Sequence, residues 1–213
     1  MSDDAGIKAV IFDFGNVLCF PPSEEKLERA AADCGLTRQQ FWDAFWHPRL
    51  DYDAGKVEPD FYWWAVMSAA GKPFEEEKLP ALIRHEVEFW NDFDHRMLAW
   101  VDELRSSGIR TAMLSNLPRV LGEALREADG LYSRFDHLTL SYELKAIKPD
   151  AAIYQHALEG LGVAPGETLF LDDKAPNVKG ARKAGLKAEL FTTPEEFVSG
   201  RVAEKYGLRP PSL

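Results

Sequence analysis

With 213 residues, 46% of them hydrophobic and 28% charged, the chain can form one catalytic domain with a smaller inserted or appended unit and bury a sizeable core. Its formal net charge of −10 excludes a general affinity for nucleic acid or an anionic membrane, while leaving room for an anionic small molecule in a locally positive pocket. No stretch approaches the ~20 apolar residues of a membrane helix. The acidic start Met1-Ser2-Asp3-Asp4-Ala5-Gly6 is not a signal peptide. Cys19 and Cys34 form no CxxC and lie in no Cys/His cluster, which points to free thiols in a reducing, cytoplasmic setting.

The first predicted element is a strand over residues 7–12 that runs into Asp13. Its core, Val10-Ile11-Phe12, does not alternate with polar residues, so both faces should be covered, as in a parallel sheet between helices. Residues 21–92 carry no strand signal. Leu27-Ala30-Ala31, Phe41-Ala44-Phe45, Phe61-Trp64-Ala65 and Ile83-Val87-Trp90 have helical spacing, and aromatic residues are concentrated here. This stretch reads as an all-helical insertion with Pro21-Pro22 at its start, and Glu75-Glu76-Glu77 as the solvated first turn of a helix.

From residue 94 onward helices and strands alternate. Met97-Trp100-Val101-Leu104 marks a helix that stops at Ser106-Ser107-Gly108; a strand over 109–114 then reaches Ser115. A strand over 137–140 precedes Ser141. Ile153-Tyr154-Ala157-Leu158-Leu161 marks a helix ending at Gly162, a strand over 168–171 precedes Asp172, and Val178-Ala181-Ala184 marks a helix ending at Gly185. Residues 187–191 are a fifth candidate strand. The alternation predicts right-handed crossovers and an open α/β sheet.

Ligands of such sheets bind beyond the carboxyl ends of the strands. Asp13, Ser115 and Asp172 each follow a predicted strand and would converge in one crevice. Polar residues commonly follow strands, so the reading rests on their joint arrangement. Other signals fail. Gly160-Leu161-Gly162 with Gly166 precedes a strand instead of following one, and Gly71-Lys72 runs into Pro73, so neither is a nucleotide loop. His47 and His85 are expected to be structural or surface histidines before substrate contacts. Phe61-Tyr62-Trp63-Trp64 is expected to be core before a sugar platform, and Lys145 a surface lysine.

Together the motifs resemble the haloacid dehalogenase-like (HAD) superfamily. Asp13-Phe14-Gly15-Asn16-Val17-Leu18 looks like its first motif and Leu114-Ser115-Asn116 like its second. Lys148-Pro149-Asp150 resembles the third, and Leu171-Asp172-Asp173 with Asn177, Gly180-Ala181 and Ala184-Gly185 the fourth. They occur in the family's order and span essentially the whole chain. The resemblance implies a three-layer Rossmann-like parallel-sheet core over residues 1–20 and 93–213, with an inserted all-helical cap over 21–92. It also implies a phosphatase that hydrolyses a small phosphomonoester through an aspartyl-phosphate. The Asp-x-Gly-Asn-Val form and the run Ile153-Tyr154-Gln155-His156 further resemble a sugar-phosphate branch, notably α-glucose-1-phosphate phosphatases, so a sugar 1-phosphate is the finer expectation.

By the same resemblance, Asp13 would be the nucleophile, and Asp13, Asp172 and the Gly15 backbone carbonyl would ligate Mg²⁺, a hard cation suited to oxygen donors. Asp173 and Asn177 would orient metal-bound water or the motif lysine. Lys148 would supply positive charge to the phosphoryl oxygens and to Asp13. Ser115 and Asn116 would donate hydrogen bonds to phosphate, with Pro118 opening the helix that follows. The expected partner is a small phosphorylated substrate, on a monomer or homodimer.

One position departs from the pattern. Most HAD phosphatases carry a second Asp two residues after the nucleophile, as general acid and base; here that position is Gly15. Either another group replaces it, or the substrate has a good leaving group. Two alternatives therefore stand beside the phosphatase: a 2-haloacid dehalogenase, against which the Asp172-Asp173 pair argues, and a non-catalytic binding or regulatory protein of the same fold.

Overall fold

The computed structural model describes residues 6–128 and 130–212; most of the acidic start, residues 1–5, lies outside them. Five parallel strands form one sheet: β1 (Ala9–Phe12), β2 (Arg110–Ser115), β3 (His137–Leu140), β4 (Thr168–Asp172) and β5 (Lys187–Leu190), in the order β3-β2-β1-β4-β5. Every expected strand is present. Ser115 and Asp172 prove to be the last residues of their strands, not the first beyond them.

The central strand shows why its apolar run does not alternate. Val10 and Phe12 enter the core on one face, and Ala9 and Ile11 enter the core on the other. Phe12 pairs with Met113 of β2 and Leu171 of β4, so Asp13 emerges level with the ends of both neighbours. The chain leaves β1 toward β2 and β3, then crosses back to β4 and β5. The sheet therefore reverses its order between β1 and β4, where such folds form a crevice.

Between β1 and β2 lie α1 (Glu24–Asp33), α2 (Arg38–Trp46), α3 (Arg49–Asp53), α4 (Pro59–Ala69), α5 (Leu79–Phe89) and α6 (His95–Ser106). The first five form the helical insertion. Local chemistry starts two of them: Ser23 accepts from Lys26 N–H at α1, and Thr37 and Gln40 form a reciprocal capping box at α2. Phe41, Phe45, Trp63 and Phe89 pack together in the middle of the insertion. The strands that follow alternate with α7 (Arg119–Glu127), α8 (Ser141–Leu144), α9 (Ala151–Leu161) and α10 (Ala175–Lys183); α11 (Pro194–Ser199) and α12 (Val202–Lys205) end the described fold. Met97, Trp100, Val101 and Leu104 of α6 join the core with Val10 and Phe12, while α9 and α10 cover Ala9 and Ile11. Gly162 ends α9 in a left-handed conformation (φ 62°), as its position suggested.

Two helices of the insertion bury a different face from the one expected. On α4, Phe61 and Trp64 are exposed, while Tyr62, Trp63, Val66 and Met67 are buried. On α5 the buried set is Leu82, His85, Glu86 and Phe89, with Ile83 and Val87 only partly covered. The reason differs between α4 and α5. A run that is apolar on every side has no period to select a face, and a buried charge defeats a period that assigns charges to solvent.

Two hydrogen-bonded junctions tie the insertion to the rest of the fold, beside the exposed Arg119–Glu58 ion pair. Phe20 N–H donates to Asp92 O (2.8 Å) and Asp94 N–H to Leu18 O (2.9 Å), so the chain enters and leaves side by side. At the other, Ser141, the first residue of α8, donates its hydroxyl to Asp53 O. No helix among the described residues is long and apolar enough to cross a membrane.

Candidate active site

The site is built on the ends of β1, β2 and β4. Asp13 is buried; its N–H donates to Leu171 O (2.9 Å), and Phe14 N–H donates to its Oδ1 (2.7 Å). Lys148 reaches it from the loop before α9. Its Nζ lies 2.7 Å from Asp13 Oδ1 and 2.7 Å from Asp172 Oδ2, and donates to Leu114 O at 3.1 Å. A lysine ammonium has three donors, and all three are used, which is the condition for burying one. The loop is held by Asn116: Lys148 N–H donates to Asn116 Oδ1 (2.8 Å), and Asn116 Nδ2 donates to Lys148 O (3.1 Å). The Asn116 side chain, expected to offer a donor to phosphate, is thus committed to the backbone of Lys148. Ser115, also buried, lines the cavity directly.

Asp172 is fully buried and accepts from Lys174 N–H (2.8 Å) and from Asn177 Nδ2 (2.9 and 3.1 Å). Asn177 therefore orients a carboxylate rather than the lysine. Asp173 accepts from Asn16 Nδ2 (2.8 Å), and Asn16 sits in the left-handed region (φ 61°). Oxygens of Asp13, Asp172 and Asp173 lie within 4.8 Å of one another. Asp173, read from the sequence as a support behind the ligands, thus belongs to the acidic cluster itself. This all-oxygen set suits a hard divalent cation. The Oδ1 of Asn16 is buried without a partner among the described residues, which leaves a further acceptor beside Asp173.

The electrostatics follow from three acids facing one ammonium. Burial pushes the Asp13 carboxyl up to about 7; Lys148 opposes this, and Asp172 and Asp173 add to it. For Asp172 burial also acts upward, but Lys148 and the Lys174 and Asn177 hydrogen bonds outweigh it and hold the group below its ordinary value. Burial works to lower Lys148, and Asp13 and Asp172 more than offset it, so it stays protonated.

Above these groups lies a cavity of about 230 Å³. Gly15, Asn16 and the sheet-edge residues form its floor, and the insertion contributes Trp42, Trp46, Arg49, Leu50, Asp53 and Trp90 to its walls. Pro21 and Pro22 also line it. Gly15 packs against Trp90: a Cβ there would meet the indole at 3.3 Å, a tight contact that the ring would have to ease. The sequence reading missed Arg49 and Asp53. Both are buried and form an ion pair (2.7 Å), and Arg49 also pairs with Glu86 (2.6 Å). Tyr52 and Tyr62 complete this network, Tyr52 donating to Glu86 (3.1 Å) and Tyr62 to Phe45 O (2.7 Å). An Arg and an Asp four apart within an aromatic run were the available signal. His47 is exposed and outside the cavity, and His85 is bonded to Asp33 (2.7 Å), so neither reaches the site.

Residues 7–185 match the family of haloacid dehalogenase-like hydrolases. The chain is 30% identical over 180 residues to the sesquiterpene phosphatase astK of Aspergillus oryzae, covering 84% of this chain and 87% of that protein. It is 28% identical over 193 residues to the D-ribitol-5-phosphate phosphatase of Bacteroides thetaiotaomicron, covering 85% and 90%. The fold superposes on the HAD family enzyme bt-2542 of Bacteroides thetaiotaomicron, in complex with magnesium and inorganic phosphate, with a TM-score of 0.70 at 24% identity, over 87% of this chain and 94% of that one.

Proposed function

The chain belongs to the haloacid dehalogenase-like hydrolase family, and from that premise we propose that it is a magnesium-dependent phosphomonoesterase acting through an aspartyl-phosphate on Asp13. The observation that carries this reading is the buried Asp13 carboxylate, paired with Lys148 and within reach of Asp172 and Asp173. An Asp nucleophile attacks the phosphorus and displaces the alcohol. Lys148 neutralises charge on both the attacking carboxylate and the phosphoryl oxygens. The Ser115 hydroxyl and the backbone N–H of Asn116 donate to the phosphoryl oxygens. Asp13, Asp172, the Gly15 carbonyl and Asp173 would hold Mg²⁺, which when bound supplies the positive charge that lets a carboxylate meet an anionic phosphate. Asn177 and the Lys174 N–H keep Asp172 ionised and aimed. Residues 21–92 act as the cap over the substrate.

The same acidic cluster speaks against a dehalogenase, whose chemistry needs the Asp nucleophile but no metal. For the substrate, the walls favour a small phosphomonoester with an apolar body. Trp42, Trp46, Trp90, Leu50, Pro21 and Pro22 face the cavity, and Nε and Nη1 of Arg49 are engaged within the buried network. The sugar 1-phosphate suggested by Ile153-Tyr154-Gln155-His156 has less behind it. Ile153 and Tyr154 are core, Gln155 bonds to Glu159 and His156 lies against Thr139, so none lines the cavity. Phosphate release with and without Mg²⁺ tests both levels, using p-nitrophenyl, prenyl and benzyl phosphates beside glucose 1-phosphate. Mg²⁺-dependent turnover of the apolar esters with higher kcat/KM is expected. No turnover of any ester would overturn the phosphatase, and a preference for glucose 1-phosphate would restore the sugar reading.

A further inference from the structure

Gly15 leaves the site without the acid and base that a phosphomonoesterase needs, and the Trp90 indole crowds that position. The replacement must come from another wall. Among the described residues lining the cavity there is no His, Cys, Tyr or Glu, and the carboxylates are those of Asp13, Asp53 and Asp173. Asp13 is the nucleophile, and Asp173 is bonded to Asn16 within the acidic cluster. Lys174 also lines the cavity, but its ammonium is stacked 5.1 Å over the Trp46 ring.

Resting on the phosphomonoesterase reading, we propose that Asp53, carried by the helical insertion, is the general acid and base of the reaction. Its carboxylate is 6% exposed; Oδ1 accepts from Arg49 Nε (2.7 Å), and no described group donates to Oδ2. Its position is fixed from the phosphate side. Asp53 O accepts from the Ser141 hydroxyl, whose oxygen also accepts from Leu117 N–H (2.9 Å), two residues beyond Ser115. Two residues on, Gly55 (φ +63°) lies so close to α8 that a Cβ would stand 2.6 Å from Tyr142 O. The end of α3 is therefore pinned to the edge of the sheet that carries the phosphate donors.

The titratable groups facing Asp53 are Arg49 on its own helix, Tyr62 from α4, Glu86 from α5 and Lys174 from the loop after β4. Burial pushes its carboxyl up to about 6, Glu86 adds to this, and Arg49 and Lys174 oppose it, which keeps the group near the range useful for proton transfer. In the first step the Asp13–phosphorus bond forms, the bond from phosphorus to the ester oxygen breaks, and the Asp53 proton goes to that oxygen, releasing the alcohol. In the second step ionised Asp53 takes a proton from water as the water oxygen bonds to phosphorus. The Asp13–phosphorus bond then breaks, phosphate leaves, and both acids regain their starting states.

The test is single-turnover release of alcohol from p-nitrophenyl phosphate and from benzyl phosphate, in wild type and Asp53→Asn. The amide keeps an oxygen for Arg49. The expected result is a loss of roughly 10²–10⁴-fold for the benzyl ester, whose leaving group needs the proton, and little change for nitrophenyl. The wild-type benzyl rate should also fall as pH rises past about 6, and the variant should lose that limb. Ser141→Ala, which frees both α3 and the Leu117 N–H, should slow both esters but the benzyl ester more, and serves if Asp53→Asn does not fold. Equal losses on both esters, or none on either, would overturn the inference. A wild type that cleaves neither ester would overturn the phosphatase reading and this inference with it.

Discussion

Lys148 shows how much one side chain carries here. It sits between Asp13 and Asp172, both buried, and is itself buried with all three donors engaged. Replacing it with Met would leave two carboxylates facing each other without a counter-charge, a loss of roughly 3–5 kcal/mol when one partner of a buried pair is removed. Activity should vanish and the urea midpoint should drop together. Asp13→Asn is expected to behave differently: turnover falls by at least ~10³-fold, as for loss of a nucleophile, while the urea midpoint holds or rises because one of three crowded acids is gone. A retained rate, with contaminating phosphatase excluded, would remove Asp13 from the chemistry. These residues were legible in the sequence because each follows a strand or lies in a recognisable motif. Arg49 and Asp53 were not, since their burial depends on Glu86, 37 residues further on from Arg49.

At the scale of elements, α3, α4 and α5 are joined by the buried network of Arg49, Asp53, Glu86, Tyr52 and Tyr62. Glu86→Ala leaves the Arg49 guanidinium with one carboxylate in place of two, and the expected cost is about 3 kcal/mol, read from urea unfolding. The effect on KM should exceed that on the nitrophenyl single-turnover rate, because Arg49 and Asp53 shape the cavity wall and not its floor. Gly15→Asp asks the converse question. It installs the acid that the family's pattern has at this position, into space crowded by Trp90, so it should destabilise by roughly 1–3 kcal/mol and give no gain in rate. The face of α5 escaped the sequence for the reason this network makes plain: a charge inside a helix pattern looks solvated until its partner arrives from another helix.

For the whole molecule, a cation held by Asp13, just past β1, and Asp172, at the end of β4, would couple its binding to folding, because only the folded sheet brings the two together. Mg²⁺ at a hundred times its Kd should then stabilise the native state by about 2.7 kcal/mol. In a chain of this length that raises Tm by roughly 5–10 °C. Asp172→Ala should abolish the shift and the heat of Mg²⁺ binding seen by calorimetry. An unchanged shift would place the cation elsewhere on a molecule whose net charge of −10 attracts it non-specifically.

The sequence by itself determined the parallel sheet, the helical insertion after β1 and the cluster at the strand ends, because each rests on local information. Apolar runs of strand length, helix periods closed by glycines, and polar residues at the carboxyl ends of strands all lie within a few residues of one another. Only the tertiary structure decided which faces of α4 and α5 are buried and that Asn116 serves the Lys148 backbone. It alone placed Asp173 with the other acids and Asp53 with Trp42, Trp46 and Trp90 over the cavity. These depend on contacts between residues distant in the chain, where a buried charge is stable only beside its partner, and no local period encodes where that partner will be.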